Sequence, residues 1–194
     1  ELGARMEEID RWVEYSIQHW LIHLAESREK GVVNRFEVHD YSGFTGRSWP
    51  QTYLEGLYDI GEDEALVIET EIPEKVRYWS FLVTDELFAT VDWMHHQSSL
   101  NAHQARLDAD GRFRAVLAAR DPGVPNWLDT GGHLRGAVQG RWNQASSAPH
   151  PRVTKIRLED VRDHLPPDTP VTTPEEREAV LRTRRRGAQM RRKW

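Results

Sequence analysis

The sequence contains no cysteine. That excludes disulfides, thiolate-bound zinc and a cysteine nucleophile, and leaves His, Asp and Glu as the side chains able to hold a metal. It also lacks an apolar run long enough to span a bilayer and a basic segment followed by an apolar stretch, the opening of a secretory signal. The expected compartment is therefore the reducing cytoplasm, and no membrane partner is expected. The Walker loop, the GxGxxG fingerprint, the GxSxG elbow and the HExxH zinc motif are all missing. The first residue is Glu, which reads as a mature form, a trimmed chain or the C-terminal part of a longer one.

What is present is a chain of 194 residues, 38% hydrophobic and 29% charged, enough for one domain with a sizeable core and helical appendages. Its net charge is -5, yet Arg182 to Lys193 holds seven Lys/Arg and no acid. The body is thus markedly acidic and the end basic. Nucleic-acid binding wants a basic face on the folded body, so no nucleic-acid partner is expected.

Residues 2 to 29 place Leu2, Met6, Ile9, Val13, Ile17, Trp20 and Leu24 at three- and four-residue steps, which predicts an amphipathic helix packed on the body and stopped at Gly31. Its other reading is an oligomer contact or the stump of a longer helical region. Residues 32 to 63 read as an ordered loop or a strand with long turns, rich in aromatics (Tyr41, Phe44, Trp49, Tyr53, Tyr58). Strand patterns follow at Ala65 to Ile72, Val76 to Val83, weakly at Ser98 to Leu107, then at Phe113 to Ala119, Leu134 to Trp142 and Val153 to Leu158. The Asp108 to Gly111 turn is expected to join two antiparallel strands. A rigid Leu165 to Pro170 connector leads to a helix whose start is signalled by Thr173 as N-cap, Pro174 and Glu176. The predicted fold class is α+β, mainly β: an antiparallel jelly-roll-like β-sandwich flanked by an N-terminal and a C-terminal helix. The predicted organisation is an N-terminal helix over residues 1–31, a β-sandwich over 32–160, and a Pro-rich connector with a basic helix over 161–194.

Two polar constellations stand out. In Asp121 to His133, with Arg141 just beyond, two prolines and three glycines hold Asn126, Trp127, Asp129, Thr130 and His133 on a rigid loop. Such a loop can aim several groups at one point. An Asp129–His133 pair would make a general base with a fixed tautomer, and Arg141 would grip an anion with its planar fork. The same composition also suits a turn that satisfies its own backbone. The second constellation runs from Asp92 through His95, His96, Asn101, His103 and Gln104. Its histidines lack metal-ligand spacing, so neither a metal nor another cofactor is expected. Eight tryptophans are mostly packing, with stacking on a sugar or steroid ring as the alternative.

Glu64-Ala-Leu-Val-Ile-Glu69, Tyr78-Trp79, Ser99-Leu-Asn101 with Gln104, the Asp108-Ala-Asp-Gly turn, and the run DPGVPNWLDTGGH closing on Arg141-Trp142 resemble the bacterial domain-of-unknown-function 1214 family, between about residues 55 and 145. The resemblance implies a jelly-roll-like β-sandwich, often preceded by a second β domain, and no settled reaction. It implies recurrent polar positions at Asn101, Gln104, Asp121, Asn126, Asp129, His133 and Arg141. His95-His96 departs from the family pattern.

The leading expectation is a metal-independent enzyme acting on a small organic substrate, with His133 and Asp129 catalytic and Asn101, Gln104, Asp121, Asn126, Trp127 and Arg141 binding substrate. The alternatives are a module for carbohydrate or another ring-bearing ligand, using Trp127, Trp142 and the aromatics of 41 to 58, and a structural or oligomer-forming domain. A small-molecule ligand and either a homo-oligomer or a missing N-terminal domain are the expected partners.

Overall fold

The computed structural model describes residues 1–40 and 51–191. Alternating apolar residues give nine strands in two sheets, and the fold is α+β, mainly β and sandwich-like. The elements are α1 (Leu2–Ser16), a π-helical turn (Ile17–Ile22), α2 (His23–Glu29), β1 (Arg35–Asp40), β2 (Gln51–Asp59), β3 (Glu64–Thr70), β4 (Tyr78–Thr84), β5 (Ser99–Asn101), β6 (Phe113–Ala118), β7 (Trp127–Asp129), β8 (Arg135–Asn143), β9 (Arg152–Arg157), a 3₁₀ segment (Leu158–His164) and α3 (Pro174–Gln189). The larger sheet is ordered β1-β2-β8-β4-β5 and the smaller β7-β6-β3-β9. All strand pairs are antiparallel except β6–β7.

The core is the slab between the sheets. Phe36, Leu54, Trp79, Phe81 and Trp142 from the larger sheet meet Ile68, Phe113 and Leu117 from the smaller. The Phe81 and Phe113 rings stack across the slab with centroids 5.2 Å apart. Glycine in β8 makes room for this: a Cβ on Gly140 would come within 2.9 Å of Phe81 and 3.1 Å of Leu54. A residue that reads as a strand-breaker is here what lets a large ring enter.

The opposite face of the larger sheet is polar, and the register sets its order. His39 lies opposite Tyr53, Tyr53 opposite Arg141, Arg141 opposite Ser80, and Ser80 opposite Asn101, one row across all five strands. The neighbouring row contains Glu55, Gln139, Leu82 and Ser99. Residues two apart in a strand share a face, so these rows lie on one surface.

Three expectations are corrected. The N-terminal helix does not pack along its length. Leu2, Met6, Ile9 and Val13 are exposed and α1 buries no residue, while α2 seats Leu24 against Leu57 and Ala137. The π turn breaks the 3.6-residue period, so the apolar stripe of α1 does not continue onto the face that α2 buries. Residues 32 to 63 contain two strands, β1 and β2, disguised by the charged outward residues Arg35, Glu37, Glu55 and Asp59. Ser98 to Leu107 is a strand only at Ser99–Asn101. The Asn101 side chain then accepts hydrogen bonds from the His103 and Gln104 amides and turns the chain. β5 and β6 consequently belong to different sheets, and the Asp108 to Gly111 turn closes only a Leu107–Phe113 bridge. Tyr41, Phe44 and Trp49 lie outside the described residues.

Candidate functional site

The motif loop is largely spent on its own fold. Asn126 is buried; its amide donates to the carbonyls of Arg106 (2.6 Å) and Arg114 (2.8 Å) and accepts from the Arg106 amide (2.9 Å). Every hydrogen-bonding group of that carboxamide save one lone pair is in use. Trp127 is buried, with its indole N–H on the Ala118 carbonyl (3.0 Å), and Trp142 lies in the core. Neither ring has a face to offer a ligand, nor Asn126 a group to bind one, which corrects those three assignments.

Asp121 is held by the chain itself. Its carboxylate accepts from the Gly123 amide and two hydrogen bonds from Arg177 of α3, at 2.8 and 3.1 Å. Arg177 is buried, its guanidinium 5.0 Å from the centre of the Trp127 ring. It also donates to the side chain of Gln97 and the carbonyl of Val124, and Gln97 in turn donates to the carbonyls of Pro125 and Trp127. The polar density of Asp121 to Trp127 therefore receives α3, and Asp121 is a helix anchor, not a substrate anchor.

Asp129 does orient a histidine, but not the expected one. Its buried carboxylate accepts from the Gly131 amide (2.8 Å) and lies 2.8 Å from Nδ1 of His96. Gly131 and Gly132 take positive φ (61° and 88°) and swing the chain away, leaving the His133 side chain exposed and bonded to no described residue. His96 lies between β4 and β5 and Asp129 is the last residue of β7, which a reading along the chain does not bring together.

Asn101, Gln104 and Arg141 do converge. They line a cleft of about 570 Å³ between the polar face of the larger sheet and the second half of α3, with Ser80, Ser99, Tyr78, Trp93, His103, Arg184 and Arg191. The helix supplies this wall through a repeat. Arg177 and Arg184 are seven residues apart and so share the face of α3 turned toward the body, and Arg191, seven further on, follows just past the helix end. Gly187 and Ala188, between the last two, leave the space. The basic end showed no site in the sequence; the seven-residue arginine period was its signal.

The electrostatics of the cleft are one-sided. Three arginines and a histidine line it, and among the described residues no Asp or Glu does. Arg141 lies 5.2 Å from the centre of the Tyr53 ring and donates to Gln139, a neutral partner. Arg191 sits 4.4 Å from the centre of the Trp93 ring. Arg184 is buried, donates to the Ser99 carbonyl and hydroxyl and to the Trp93 carbonyl, and pairs with no carboxylate among the described residues. Burial, with Arg177 nearby, pushes it down to about 10, so it remains charged at neutral pH. Its buried Nε has no hydrogen-bond partner among the described residues.

No protein-family model matches the chain, and no curated protein matches it. Among solved structures, an uncharacterised protein from Burkholderia cenocepacia aligns with a TM-score of 0.61 and 30% identity, over 67% of this chain and 37% of that one. The VPA0106 protein from Vibrio parahaemolyticus aligns with a TM-score of 0.44 and 19% identity, over 68% of this chain and 42% of that one. The chain thus spans well under half the length of either structure. No helix among the described residues is long and apolar enough to cross a membrane.

Proposed function

We propose that this domain binds a small organic anion, carboxylate- or phosphate-bearing and with a flat ring, in the cleft between the larger sheet and α3. One observation carries the reading: among the described residues the cleft is lined by Arg141, Arg184, Arg191 and His103 and by no carboxylate. Buried or half-buried cations without counter-charge are costly, and an anion relieves that cost. Arg141 is the anchor, because its planar fork matches a carboxylate or phosphate. Tyr78 and Trp93 supply aromatic surface at the cleft for the ring. The volume falls in the range typical of small-molecule sites, roughly 300–1,000 Å³. Kinship with the domain-of-unknown-function 1214 family belongs to this proposal and rests on the run from Asp121 to His133.

The test is calorimetric titration of the chain with aromatic carboxylates and sugar phosphates. Saturable binding that weakens at least tenfold in Arg141→Ala, with an unchanged melting curve, supports the reading. No binding by any probe, or equal affinity in Arg141→Ala, overturns it.

A second reading is enzymatic, and it rests on His96 and Asp129. A buried carboxylate fixing Nδ1 of a half-exposed imidazole is the geometry of an oriented general base. His96 does not line the cleft. Its substrate would therefore bind elsewhere, and turnover of an anion that persists in His96→Ala would exclude it.

A further inference from the structure

On the same polar sheet face, at the end away from α3, three side chains from three elements meet. His23 is the first residue of α2, His39 belongs to β1 and Glu55 to β2. Nε2 of His23 lies 3.3 Å, and Nε2 of His39 3.6 Å, from one and the same carboxylate oxygen of Glu55. The ligand atoms of all three lie within 4.8 Å of one another. The two rings stand edge to face with centroids 5.7 Å apart.

We propose that His23, His39 and Glu55 bind a divalent first-row transition ion. The separations are the first reason. Charge-assisted hydrogen bonds between nitrogen and oxygen are about 2.7–2.9 Å long, shorter than either distance here. Three ligands placed about 2.0–2.2 Å from a shared ion in tetrahedral array stand about 3.3–3.6 Å apart. Charge is the second reason. The Glu55 side chain is only 10% exposed, and among the described residues its ion-pair partners are these two histidines. With both imidazoles neutral, as metal ligands must be, the carboxylate keeps an uncompensated charge that a dication neutralises.

The backbone adds a third. The π turn Ile17–Ile22 ends immediately before His23, and single π turns inside helices occur frequently at functional sites. Two imidazoles select a transition ion over magnesium or calcium, which prefer oxygen ligands. His23 is 39% exposed at its side chain. With three protein ligands and one side toward solvent, the ion keeps an open position, as ions that act on bound molecules do and purely structural ions do not. Gln139, opposite Glu55, accepts the hydrogen bond from Arg141, so this site adjoins the anion cleft through one residue without depending on it.

The experiment is titration of the chelator-stripped chain with cobalt(II), followed by visible absorption, on the unaltered protein and on His23→Ala, His39→Ala, Glu55→Gln and His95→Ala. One equivalent with d–d bands is expected, weakened at least tenfold in each of the first three variants and unchanged in His95→Ala. Glu55→Gln is isosteric, so its binding loss with an intact melting curve separates ligation from misfolding. No stoichiometric binding by the unaltered chain, or the same affinity in Glu55→Gln, overturns the proposal. Neither outcome touches the Arg141 titration above, so the two sites stand or fall separately.

Discussion

Arg177 and Arg184 are the same residue on the same face of the same helix, two turns apart, and they differ in what faces them. Arg177 meets a carboxylate, a carboxamide, a carbonyl and an indole, and its charge and donors are consumed. Arg184 meets carbonyls and a hydroxyl and, among the described residues, no carboxylate, beside a cleft that holds two more arginines. Residue type therefore does not tell a structural guanidinium from a ligand-facing one. The nearest carboxylate does. The same lesson applies to the motif loop, whose polar groups mostly face its own chain, and to Asn101, Gln104 and Arg141, which line open space.

The largest expected effect tests the consumed arginine. Arg177→Ala leaves Gln97 and the Val124 carbonyl facing an empty buried site and removes the cover from Trp127, while Asp121 keeps access to solvent. A loss of about 3 kcal/mol in urea unfolding is expected, the cost of leaving buried polar groups unpaired. A loss under 1 kcal/mol, about that of an exposed pair, would dissolve the contrast. Next is Asn126→Ala, which orphans two buried carbonyls and an amide and should cost about 2 kcal/mol in the same assay. It should leave anion binding in the cleft unchanged.

Arg184→Met sharpens the contrast from the other side. Removing a buried charge that has no counter-charge offsets the lost hydrogen bonds, so stability should stay within about 1 kcal/mol of the unaltered protein. Anion affinity should fall severalfold. The smallest effect concerns Arg114, which is paired near the surface. It holds Asp110 at about 2, against an ordinary 3.8, chiefly through a direct hydrogen bond. A carboxylate depressed in the folded state stabilises fully above its unfolded pKa, and that contribution disappears as pH falls through the folded one. Stability lost between about pH 4 and pH 2 should therefore be slightly smaller in Asp110→Asn, read from denaturant midpoints across that window.

Much of the fold was legible because burial imposes a period. β3, β4, β6, β8 and β9 stand within a few residues of their apolar patterns, and the capping box at Thr173 and Glu176 is formed as the sequence proposes. β1 and β2 were hidden because one face of the larger sheet is polar, so their charged residues mimic a loop. The site was legible only in part. Asn101, Gln104 and Arg141 were found individually, while their cleft needed Arg184 and Arg191, from a basic end that showed no site in the sequence. Asp129 was expected to orient His133, whereas the imidazole beside it is that of His96, 33 positions away, beyond the reach of any local pattern. His23, His39 and Glu55 come from three elements with no motif spacing, so only tertiary structure assembles them.

The attachment of α3 has a consequence for engineering. The helix carries its own start signal in Thr173 and Glu176, follows a proline-rich connector, and is fastened through buried arginine contacts and not through a continuous apolar seam. None of those contacts runs through the connector, so a cut there leaves their groups on two complementary pieces. The chain is thus a natural split protein: residues 1–168 and a peptide of 169–191 should reassemble as two pieces. The peptide would act as a removable wall, whose departure opens the cleft and takes two of its three arginines away.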